Sequence, residues 1–156
     1  MALLMLLLLS LTGVSDASSG SRLSVDQCIV VVASMYEIDP LPIYLLRDVE
    51  GGWEGAVRKN DNGTEDLGPM QVNSIHLAEF GRYGISREDI RDNVACRNVF
   101  VAVSLYIRHL RASDGNAAKA IARYHSKSPA YASVYLRKIA AAIARRKQAK
   151  QALGDR

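Results

Sequence analysis

From Val25 to Ala149 apolar residues recur at three- and four-residue spacing, and one long stretch, Gly51 to Gly68, breaks that rhythm. A chain patterned in this way buries one stripe of each segment against its neighbours, so it folds as packed helices with a polar insertion near its first third. Alternating strand patterns are nearly absent and no internal repeat occurs, so the expected fold class is all-α or mostly α. At 156 residues the chain is long enough for one domain with a hydrophobic core and too short for two.

Punctuation residues divide the pattern. Ser24-Val25-Asp26-Gln27 has the form of a capping box, with apolar residues following at Val25, Cys28, Ile29, Val32, Met35 and Tyr36. That helix stops before Asp39-Pro40, and Pro42 suits the first position of a second one, Pro42 to Val49, ended by Gly51-Gly52. Five glycines between Gly51 and Gly68, with Asn60, Asp61, Asn62 and Asp66, predict a long loop without regular structure, pinned by Trp53 and Val57. Asn73 or Ser74 can cap a short helix through Phe80, and Ser86 another through Asp92. A long helix is predicted over 93 to 112, closed by Ser113-Asp114-Gly115, then a helix from Ala117 to Tyr124 capped by Asn116. The last segment, about 130 to 150, reads as a basic C-terminal helix with Val134, Ile139 and Ile143 on its apolar side. Its Arg145, Arg146, Lys147 and Lys150 complement a helix dipole, so a solvated basic end is a simpler reading than an anion-binding tail.

Hydrophobic residues make up 49% of the chain, and part of that share lies in one block, Leu3 to Leu11. The block is shorter than the roughly 20 residues of a membrane-spanning helix, and small residues follow it. Residues 1–17 therefore read as a secretory signal peptide cleaved after Ala17, although no Lys or Arg precedes the block; an uncleaved anchor or a buried helix is the alternative. Export would place Cys28 and Cys96 in an oxidising compartment, where two thiols fit one disulfide; two buried free thiols are the other possibility. The net charge of +4 rises by one on loss of that segment, which carries only Asp16. Mild basicity suits an anionic partner without identifying one.

For chemistry, Glu50 closes the apolar run Ile43 to Val49 and precedes the glycine pair. A carboxyl there is half in the core, and desolvation raises its pKa towards what a general acid needs near neutral pH. Most helix-end glutamates are simply solvated, so this position alone carries little weight. Asp48, Glu54, Asp61, Glu65 and Asp66 are near enough in sequence to offer a second carboxylate, with nothing to choose among them.

The segment Gly68-Pro69-Met70-Gln71-Val72-Asn73 carries more information. A Glu at a helix end, about 17 residues rich in Gly and Asn, and then Gly-x-Met-Gln-Val-Asn resembles the lysozyme-like lytic transglycosylase domain, in particular the branch that accompanies secretion and conjugation systems. Cys28, the run Cys96-Arg97-Asn98-Val99, and Ala122-Arg123-Tyr124-His125-Ser126 are similar to further landmarks in the same order, over about residues 25 to 135. Departures are Gly51 where the family usually has Ser, Pro69 for Leu, and His125 for Asn.

The resemblance implies a single domain over 18–156, with its core at about 24–135. It implies Glu50 as the one essential catalytic carboxyl, Met70 and Gln71 lining a sugar cleft, Asn73 holding the loop or the sugar, and the Tyr124 hydroxyl reaching the carboxyl or the anomeric carbon. It further implies action on peptidoglycan between N-acetylmuramic acid and N-acetylglucosamine, giving a 1,6-anhydro product. The expected setting is the periplasm or cell envelope, as a secreted monomer serving a secretion or conjugation apparatus. A hydrolase of the same fold and a non-catalytic peptidoglycan-binding adaptor are the alternatives. No cofactor, nucleic acid or lasting membrane span is expected. No metal is expected either: His76, His109 and His125 lack ligand spacing, and a calcium loop aligned on Gly63 would put Arg58 and Pro69 where acids are required.

Overall fold

The computed structural model describes residues 22–125 and 128–154. The expected signal segment lies outside them. The chain is mostly helical, as the spacing of its apolar residues predicts.

Helix α1, Val25–Met35, begins at the capping box: the Gln27 amide donates to Ser24 Oγ at 3.2 Å, and the Ser24 amide to Gln27 Oε1 at 2.8 Å. It buries Cys28, Ile29, Val32 and Ala33 but leaves Met35, expected on the apolar face, exposed. Helix α2, Leu41–Glu50, starts one residue before Pro42 because Asp39 Oδ1 accepts from the Leu41 amide at 2.9 Å. Its apolar side sinks Ile43, Leu45 and Leu46 into the core.

The stretch from 51 to 68 is not structureless. It holds strands β1 (Val57–Lys59) and β2 (Glu65–Leu67), an antiparallel hairpin, and β3 (Val72–Asn73) adds to its far edge. The register sets Arg58 opposite Asp66 and Lys59 opposite Glu65, so opposite charges face each other across the strands. Strands of two and three residues with charged faces leave no alternation to detect, which is why the sequence read as loop. Nor do Trp53 and Val57 pin it: both are exposed, and Ala56 and Leu67 provide the anchorage.

A single 3-10 turn at Ser74–His76, capped by Asn73 Oδ1 accepting from the Ile75 amide at 3.1 Å, leads into α3, Leu77–Gly81. Helix α4, Arg87–Arg91, has its own capping box between Ser86 and Asp89. The long helix α5 covers Arg97–Arg111 and not 93 to 112. Asn93, Ala95 and Cys96 take positive φ of 51°, 48° and 63°, which no continuous helix admits. Cys96 is bonded there to Cys28 (S–S 2.04 Å), stapling α1 to the start of α5.

Helix α6, Ala117–His125, packs on α5, and α7, Pro129–Gly154, packs on α6 and α2. The buried stripe of α7 is Tyr135, Ile139 and Ala142, with Val134 and Ile143 exposed, so the face is turned by about one residue from that expected. Continuing the stripe, Arg146 grips Asp48 of α2 with two bonds of 2.5 and 3.0 Å and lies over the Tyr44 ring at 4.8 Å. One cation of the supposedly solvated basic end is thus part of the helix packing.

Candidate active site

Helix α2 delivers Glu50 to a junction walled by α6, α7 and the sheet. The helix ends there because Gly51 turns into the left-handed region at φ 64°, its amide making the last helical bond to the Arg47 carbonyl at 3.1 Å. Glu50 is half-buried, and the Tyr135 hydroxyl donates to its Oε1 at 2.6 Å. Tyr135 is itself buried and stacks on the His125 ring, centroids 4.4 Å apart and planes 6° from parallel.

The electrostatics follow from that placement. Burial raises the Glu50 pKa above the ordinary carboxyl value of 4.5; the Tyr135 bond opposes the rise, Asp66 adds to it, and Arg58 and Lys138 oppose it. Burial also holds the phenols of Tyr124 and Tyr135 well above their usual range, with Glu50 contributing to both, so each hydroxyl remains a donor. A carboxyl whose burial makes it hold its proton above the ordinary carboxyl range, with a phenol fixing one oxygen, is equipped to give a proton and take one back.

The opposite wall is the turn from Leu67 to Gln71. Gly52 lies so close to it that a Cβ would stand 2.2 Å from the Gly68 carbonyl oxygen and 2.8 Å from Gln71 Nε2. Gly68, at φ +66°, is wedged in turn: its Cβ would stand 2.5 Å from the Ile90 oxygen and 2.6 Å from Asn98 Nδ2. Asn98, fully buried on α5, clamps the turn from behind, accepting from the Met70 amide at 2.9 Å and donating to the Leu67 carbonyl at 2.8 Å.

Each residue singled out in the sequence has a definite place. The Met70 side chain is fully buried in the core, and its backbone faces the site: the Tyr124 hydroxyl donates to the Met70 carbonyl at 3.2 Å. Gln71, at φ +48° and nearly buried, donates from Nε2 to the Gly68 carbonyl at 2.9 Å, bracing the turn. Asn73 ties the hairpin, donating to Asp66 Oδ1 at 2.7 Å and Thr64 Oγ1 at 3.0 Å. Tyr124 is electrostatically coupled to Glu50, but the hydroxyl bonded to that carboxyl belongs to Tyr135.

The acids around Glu50 also separate. Asp48 is held by Arg146, Glu65 by Arg87 at 2.7 Å, and Glu54 faces Arg22 at 3.7 Å and accepts from Asn93 at 3.4 Å. Asp61 sits exposed at the hairpin tip. Asp66 is brought to the site, since its charge acts on Glu50, Tyr124 and His125.

Sequence reasoning missed Tyr135, nine residues beyond the end of the motif Ala122 to Ser126. The available signal was its register: 135, 139, 142 and 146 form one helical stripe that contains both an apolar face and the arginine meeting Asp48.

No protein-family model matches the chain. It is 30% identical over 79 residues to the invasion protein IagB of Salmonella typhimurium, strains SL1344 and LT2, and to that of Salmonella typhi. The aligned stretch is 50% of this chain and 49% of each relative, so the chain spans about half the length of the curated relatives it matches.

Proposed function

We propose that this protein is a peptidoglycan lytic transglycosylase in which Glu50 is the single catalytic acid and base. One observation carries the reading: the half-buried Glu50 carboxyl, its pKa raised by burial, is bonded to Tyr135 beside the segments that resemble the transglycosylase motifs. The protonated carboxyl gives its proton to the glycosidic oxygen as the bond from muramic C1 to that oxygen breaks. The oxocarbenium-like sugar is then attacked by its own C6 hydroxyl, whose proton returns to the Glu50 carboxylate, closing a 1,6-anhydro ring. Atoms balance without water, and the substrate supplies the nucleophile. Trp53, 70% exposed three residues beyond Glu50, offers a ring face to a sugar.

The setting proposed with this activity is the periplasm or cell envelope, in the service of a secretion or conjugation apparatus, as the resemblance carried by Gly68 to Asn73 implies. The test is Glu50→Gln, which keeps the shape and the acceptor for Tyr135. Cleavage of purified sacculi should fall about 10²–10⁴-fold in a variant that still folds. Undiminished cleavage would overturn the role given to Glu50, and absence of cleavage by the parent protein itself would leave a peptidoglycan-binding adaptor.

Asp66 favours a second reading, hydrolysis of the same bond, because a second carboxylate acts on Glu50. Product analysis by mass spectrometry separates the two: anhydro-muropeptides mark the transglycosylase, reducing ends the hydrolase. Loss of cleavage in a folded Asp66→Asn variant would further favour hydrolysis.

A further inference from the structure

A phenol that donates to a carboxyl at 2.6 Å must hold its far end still, because a shift of about 1 Å at a reacting centre can cost about 10²-fold in rate. Tyr135 stands in the second turn of α7, near Tyr131 and Val134, which are 65% and 44% exposed, yet it is itself only 2% exposed. His125, the last residue of α6, supplies cover: its ring lies on the phenol, centroids 4.4 Å apart and planes 6° from parallel. His125 is exposed, so the imidazole has one face on Tyr135 and an edge towards solvent.

Three properties give this contact a consequence for Glu50. A near-parallel stack fixes the plane of the phenol, where an aliphatic neighbour would let the ring roll. The two rings also come from different helices that pack on each other, so the stack ties the phenol to α6, whose Tyr124 hydroxyl donates to the Met70 carbonyl at 3.2 Å. One helix end thereby braces both walls of the site. Finally, burial lowers the His125 pKa, with Lys138 acting in the same direction and Asp66 against it, so at neutral pH an uncharged ring lies on the phenol. It acts through its face and not through a charge.

We propose that His125 is a positioning residue for Glu50: its ring clamps the Tyr135 phenol in one plane, and that phenol fixes the carboxyl oxygen to which it donates. The inference rests on Glu50 as acid and base, since it assigns how that acid is held.

The test compares His125→Phe, which keeps a ring face, with His125→Ala and His125→Asn, which remove it, and with Tyr135→Phe, which keeps the stack and removes the donor. The first readout needs no substrate: the Glu50 carboxyl is titrated by carbon-13 NMR. A loosened donor favours the carboxylate less, so His125→Ala and His125→Asn should move the midpoint upward, as Tyr135→Phe does, while His125→Phe stays with the parent. The second readout is cleavage of sacculi, where kcat should fall about three- to tenfold in His125→Ala and His125→Asn with KM unchanged, and His125→Phe should restore it. Adding His125→Ala to Tyr135→Phe should change neither readout further. An unmoved midpoint in His125→Ala, no restoration by His125→Phe, an additive loss in the double variant, or a raised KM at unchanged kcat would overturn the proposal. Midpoints that move as expected while Glu50→Gln cleaves like the parent would remove the chemistry given to Glu50 and leave the clamp standing. Unmoved midpoints with cleavage lost in Glu50→Gln would remove the clamp alone.

Discussion

Two opposed effects set the proton on Glu50: burial removes the water that stabilises a carboxylate, and the Tyr135 hydroxyl gives part of that stabilisation back through a 2.6 Å bond. Because the folded pKa stands above the unfolded one, the native state holds this proton more tightly than the unfolded chain does. Glu50 therefore favours folding at low pH, and that contribution is lost as pH rises through the raised value. Glu50→Gln, which has no charge to bury, should melt a few degrees above the parent at pH 7 to 8, the gap closing below the ordinary value of 4.5; calorimetry across pH reads this directly. Tyr135→Phe removes the donor that favours the carboxylate, so the Glu50 pKa should rise further. The alkaline limb of a cleavage profile should then move up in pH, while the rate falls about tenfold or more as the acid loses its fixed position. A limb left in place would show that the phenol does not set the acid.

At the scale of elements, the turn from Leu67 to Gln71 depends on one side chain from elsewhere in the chain. Asn98 satisfies a buried amide and a buried carbonyl of that turn, and Asn98→Ala leaves both without a partner. The expected cost is about 2–5 kcal/mol, read as a lowered urea midpoint, with cleavage impaired even where the fold persists. Asn98 belongs to the run Cys96-Arg97-Asn98-Val99 singled out in the sequence, but its clamp was not legible there, because the turn it satisfies lies about 30 residues away. Tyr135 escaped for a related reason. One residue of helical register decides whether Val134 or Tyr135 faces inward, and apolar residues at both positions leave the choice to packing against α2 and α6. The hairpin escaped because its strands are too short and too charged to alternate.

Across the whole molecule, the bond between Cys28 and Cys96 closes a separation of 68 residues that encloses α2, the sheet, α3 and α4. On the chain-entropy account such a loop stabilises the fold by about 4 kcal/mol, so reduction should lower the denaturant midpoint by a matching amount, and Cys28→Ser with Cys96→Ser should reproduce the shift. Local information determined a good deal of this fold. Capping boxes, prolines and glycines bound α2, α4 and α6 within a residue, because such caps are chosen by neighbours in sequence, whereas α5 begins four residues later than expected; the helical spacing settled the class. Glu50 closes an apolar helix, a local feature of little weight by itself, and its standing came from the segment Gly68 to Asn73 and the resemblance it carries. Its surroundings were decided by tertiary structure. Tyr135 from α7, Asp66 from β2 and the turn gripped by Asn98 meet Glu50 only when helices distant in sequence pack, and burial, the cause of its raised pKa, is a property of that packing.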